Sequence, residues 1–200
     1  MTITKRGFLA GAASAAAVVS TPAGVVWASE RATPFDLVVF NERYGDARLF
    51  AQALGAQGAA MLPIAGDAGT VWFGTLAKGI ASGQRRIAGM GTPTDLFILE
   101  TLAREAAHMR VRFVAHHDCR GGSTLTHSFY ADGRGRQVGR AVQSAGAQWP
   151  SALAAALPHA ADDTVRPAVA GRSVAADIRL TTNVERSDDH PGMLVSWILA

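Results

Sequence analysis

Cysteine is almost missing from this 200-residue chain: Cys119 stands alone, so no disulfide can form within it. The fold must therefore rest on its apolar core. Charge is also sparse. Asp, Glu, Lys and Arg make up 18% of residues, and no run of lysine and arginine occurs, which removes the electrostatic footprint of a nucleic-acid binder. Neither Gly-x-Ser-x-Gly nor His-Glu-x-x-His is present, and there is no Walker loop. These absences argue against α/β-hydrolase, zincin and nucleotidase chemistry. No internal repeat or low-complexity tract interrupts the chain. Apolar residues reach 48%, enough for one domain with a real core.

The formal charge is +3, but Lys5 and Arg6 contribute two of the 19 basic residues and no acid lies in residues 1–28. Without that segment 17 bases face 16 acids, a net of +1. The basic pair precedes a weakly apolar stretch, 8–26, which ends at Val26-Trp27-Ala28 with small residues where a signal peptidase cuts. Thr4-Lys5-Arg6-Gly7-Phe8-Leu9 resembles a twin-arginine signal, with Lys5 where the first arginine usually stands. Sec signals also open with basic residues, but their apolar segment is usually greasier than Gly11-Ala-Ala-Ser-Ala-Ala-Ala17. The resemblance implies a signal peptide over 1–28, export in the folded state to the periplasm or beyond, and often a cofactor bound before export. As a membrane anchor the segment is poor, because Ala, Gly, Ser and Pro22 dilute its 19 residues. No stable membrane insertion is expected after cleavage. The mature layout resembles that of other twin-arginine-signal proteins of unassigned role.

In the mature domain, 29–200, four short apolar runs are each followed by a polar loop and then by a helical pattern. The runs are 35–40, 59–64, 86–89 and 110–116. The helices are expected near 46–57, 70–80 and 94–108, the first with Leu49, Phe50, Ala53 and Leu54 on one stripe and the third with Thr94 as N-cap. This alternation predicts βαβ units: a small doubly wound parallel sheet of Rossmann-like or flavodoxin-like type over about 33–118, with helices on both faces. The remainder, 119–200, reads as an irregular extension. It holds a Gly/Ser/Thr loop or hairpin at 120–135, helices at 137–145 and after Pro150, and a final strand at 193–199.

Ligands of open α/β sheets bind beyond the carboxyl ends of the strands. That rule selects Asn41, Glu42 and Arg43; Gly66 and Asp67; Gly89, Gly91, Thr92 and Thr94; and His116, His117, Asp118 and Cys119. Gly89-Met-Gly-Thr-Pro-Thr94 enters a helix, so its backbone N–H groups offer a small-anion site, with Thr92 and Thr94 as added donors and Arg43 and His116 as further ligand contacts. A tight turn with a capping threonine is the plainer alternative. Glu42 and Asp67 are a candidate carboxylate pair, and His117 and Cys119 a candidate base and thiolate. Strand alternation places His116 with Asp118 on one face and His117 with Cys119 on the other, so the four do not converge on a metal. Two readings follow. One is an exported protein that binds a small anion, or a co-exported partner, at this rim. The other is a small periplasmic enzyme using acid–base or thiol chemistry there.

Overall fold

A computed structural model describes residues 33–119, 124–130, 133–160, 178–183 and 191–200; the signal-like segment lies outside them. Seven strands form one mixed sheet: β1 Leu37–Asn41, β2 Ala60–Ile64, β3 Ile87–Gly91, β4 Val111–Asp118, β5 Thr124–Tyr130, β6 Ile178–Asn183 and β7 Met193–Leu199. Their order is β2-β1-β3-β7-β4-β5-β6. β1 pairs in parallel with β2 and β3, as the βαβ rhythm predicts. The all-parallel sheet does not form. β7 lies antiparallel between β3 and β4, and β5 and β6 continue antiparallel beyond β4.

The physical reason is the character of β7. Residues Leu194 to Leu199 are buried on both sides of the strand, and a strand that sheds water from both faces belongs inside a sheet rather than at its margin. It is therefore the strand that joins the two halves of the molecule. β4 remains parallel to β3 because β7 runs against both, so the loops after β1, β2, β3 and β4 share one edge.

Helices cover the sheet from both sides. On one, α1 (Gly45–Ala56), α5 (Gly133–Ala145) and α6 (Trp149–Ala160) pack Phe50, Leu54, Val138, Val142, Trp149 and Leu153 onto strand residues such as Val38, Met90, Phe113 and Phe129. On the other, α2 (Ala68–Val71), α3 (Ala77–Ala81) and α4 (Pro93–Ala107) cover the alternate strand residues Leu37, Val39, Ile87 and Trp197. The helix expected over 70–80 is interrupted by a π-turn at Trp72–Leu76, which buries Trp72 and leaves Phe73 71% exposed. In α1 the buried stripe is Ala47, Phe50, Ala51 and Leu54, with Leu49 outside it. The run at 120–135 contributes β5 as a hairpin partner of β4. Of the polar stretch 158–192, residues 178–183 form the edge strand β6, and most of the rest lies outside the described residues. No helix among the described residues is long and apolar enough to cross a membrane.

Candidate functional site

At the end of β1, Asn41 is half-buried while Glu42 and Arg43 are exposed. The Glu42 N–H donates to the Ile64 carbonyl at 3.3 Å, tying this loop to the end of β2. The Asn41 Oδ1 accepts from the Arg43 N–H at 3.2 Å, and its Nδ2 donates to Asp95 Oδ2 at 2.9 Å. Asp95 belongs to the first turn of α4, so this bond spans the gap between β1 and β3. The same Asp95 oxygen accepts from the Thr92 N–H at 2.8 Å, and Thr92 Oγ1 accepts from the Asp95 N–H at 3.1 Å. This reciprocal pair is a capping box. Thr92, not Thr94, is therefore the N-cap, with Pro93 at the first helical position, where its missing N–H costs nothing.

The two glycines of the Gly-x-Gly serve packing. A Cβ on Gly89 would fall within the Trp197 indole, and one on Gly91 would come within 2.7 Å of Asp95 Oδ2. Gly89 thus admits a β7 side chain across the sheet, and Gly91 lets the Asp95 carboxylate fold back. Of the N–H groups that the sequence offers to an anion, that of Thr92 is held by this carboxylate and that of Asp95 by the Thr92 hydroxyl. Asp67 repeats the device at α2: Oδ1 accepts from Gly69 N–H and Oδ2 from Thr70 N–H, each at 3.1 Å, with the Thr70 hydroxyl also on Oδ2 at 3.1 Å. Those bonds hold the exposed Asp67 carboxyl below the usual carboxylate range. Asp67 therefore stays ionised and is a weak candidate for the protonated member of a carboxylate pair.

The fourth loop divides as strand alternation requires. His116 and Asp118 are half-buried on one face; His117 and Cys119 are buried on the other, 0% and 7% exposed. Register then adds residues that no local motif announced. His117 sits opposite His127 of β5, with the two Nδ1 atoms 2.8 Å apart, and its Nε2 lies 3.0 Å from Ser196 Oγ of β7. The Trp149 ring lies 4.4 Å from the His117 ring and 4.8 Å from that of His127, centroid to centroid. Either neutral tautomer arrangement satisfies this Ser–His–His chain. In both, His127 Nε2 is left buried with no hydrogen-bond partner among the described residues. Burial, which disfavours the charged ring, lowers the His127 pKa to about 4. His127 is thus neutral at pH 7, and the three residues form a polar core closed to solvent. Among the described residues no group of three or more His, Cys, Asp or Glu side chains is placed to hold a metal ion.

The carboxyl edge therefore brings Asn41, Arg43, Thr92 and Asp95 together, sets Glu42 and Asp67 on the neighbouring loops, and withdraws His117 and Cys119 into the core. Compared with known proteins, the chain matches no family model, no curated protein and no solved structure.

Proposed function

We propose that this protein is exported, that its mature part from residue 29 works outside the cytoplasm, and that it binds a small solute at the carboxyl edge. The site is the crevice between β1 and β3, the switch point of a doubly wound arrangement. The observation that supports the site most is the Asn41–Asp95 hydrogen bond, which ties the end of β1 to the first turn of α4, just beyond β3. The acceptors there are carboxylates, Glu42, Asp67 and Asp95, while N–H groups at the starts of α2 and α4 are already taken: those of Gly69 and Thr70 by Asp67, that of Thr92 by Asp95 and that of Asp95 by Thr92 Oγ1. A solute bringing hydroxyl or ammonium donors suits this wall better than a bare anion.

The small-anion reading is second; it rests on the exposed Arg43, whose N–H donates to Asn41 Oδ1. Enzymatic acid–base or thiol chemistry has less support, since Asp67 is held ionised and Cys119 is buried. Two measurements test the proposal. Mass spectrometry of protein recovered from the periplasm reads a mature chain beginning at Ser29; an intact start at Met1 refutes export with cleavage. Amide NMR titration with glycerol and with inorganic phosphate then separates the ligand classes. Shifts at residues 41–43 and 91–95 with glycerol, lost in Asn41→Ala, support the donor-bearing solute. Shifts with phosphate alone, enhanced in Asp95→Ala because Thr92 N–H is released, establish the anion reading instead.

A further inference from the structure

The opposite edge of the sheet carries a second feature. A cleft of about 560 Å³ opens at the amino ends of β1 and β2, lined in part by Thr33, Asp36, Lys78, Ser82 and Gln84. That volume lies in the range of small-ligand sites. Its hydrogen-bonding character follows from where its own protons go. The Thr33 hydroxyl donates to the Phe35 carbonyl at 2.8 Å, and the Ser82 hydroxyl donates to the Lys78 carbonyl at 2.9 Å. Each hydroxyl oxygen then has only lone pairs to offer a guest. Asp36 Oδ2 accepts from the Arg85 and Arg86 N–H groups at 2.9 and 3.0 Å, which anchors a carboxylate in the wall. Gln84 is itself anchored, its N–H donating to the Gly79 carbonyl at 3.1 Å. Its Oε1 is buried and has no hydrogen-bond partner among the described residues. A buried acceptor left so is unfavourable and marks a place where a donor is wanted.

Among the described residues the lining thus offers acceptors on several sides and one cation, the Lys78 ammonium. We propose that this cleft binds a free α-amino acid, its three ammonium N–H groups donating to Gln84 Oε1, Asp36 and one of the two hydroxyl oxygens while its carboxylate meets Lys78. A zwitterion matches both members of the Asp36/Lys78 charge set at once. A simple carboxylic acid leaves Gln84 Oε1 unserved, and a simple amine leaves the ammonium of Lys78 unserved. The site is separate from the carboxyl-edge crevice and does not depend on it.

The test uses the mature chain and isothermal titration with each common amino acid, with acetate and methylammonium as half-ligands. At least one amino acid is expected to bind one to one, about tenfold or more tighter than either half-ligand. Lys78→Met, at an exposed position, is expected to weaken binding about tenfold without moving the unfolding midpoint. Gln84→Leu is expected to abolish binding while keeping or raising that midpoint, since an unsatisfied buried oxygen is removed. The proposal is overturned if no amino acid binds. It is equally overturned if acetate binds as tightly as the amino acid, or if both variants bind unchanged.

Discussion

Acidification should weaken this protein through one residue. His127 is fully buried between β4, β5 and α6, and its pKa falls from the ordinary 6.5 to about 4 because burial disfavours the charged ring. The unfolded chain therefore binds a proton at this position between those two values while the folded chain does not. Stability is fully present above pH 6.5, declines as pH falls, and levels off below about 4. A shift of that size corresponds to about 3 kcal/mol, a sizeable part of the roughly 5–15 kcal/mol that keeps a domain folded. Urea unfolding followed by tryptophan emission, repeated from pH 7.5 to 4, measures it. Asp46, raised by burial, and Asp67, lowered by its cap, also titrate in the acid range. The informative quantity is therefore the difference between the native chain and His127→Phe, an aromatic replacement that keeps contact with Trp149 and Phe129. The variant should lose stability at neutral pH but show a slope shallower by about 3 kcal/mol across the window. Parallel slopes for the two proteins would refute the argument.

Three further outcomes follow from the geometry. Gly89→Ala forces the Trp197 indole out of its place and should cost about 3 kcal/mol or more by overpacking, read as a lowered urea midpoint with altered tryptophan emission. Thr92→Ala removes the acceptor for the Asp95 N–H and should cost about 1 kcal/mol; Thr94→Ala, which is exposed and caps nothing, should stay within about 0.5 kcal/mol of the native chain. Cys119, only 7% exposed, should react with a bulky thiol reagent at the rate of unfolding rather than at the rate of a free thiol, and fast labelling of the native protein would contradict its position in the core.

Much of the first half was legible because its signals are local. The runs at 35–40 and 59–64, the polar loops behind them and the apolar stripe of α4 each express a period that neighbouring residues share. Asp36, an acid at the start of the apolar run 35–40, accepts from two N–H groups. The alternation that separates His116 from His117 held because it depends on strand geometry alone. The cap of α4 was misplaced by two residues. Both Thr92 and Thr94 fit the local pattern, and only the return of Asp95 over the side-chain-free Gly91 selects Thr92.

The sequence alone determined that the chain is α/β, that it must fold without disulfides, and that polar side chains gather at one edge of its first strands. Tertiary structure decided what those side chains are free to do. A strand contributed by residues 193–199 enters between β3 and β4, turns a parallel sheet into a mixed one, places Ser196 against His117 and sets Trp197 over Gly89. Such pairings join residues far apart in the chain, 79 positions for His117 and Ser196, and no local period encodes them. They form because the doubly buried run of β7 finds its lowest free energy only between two other strands.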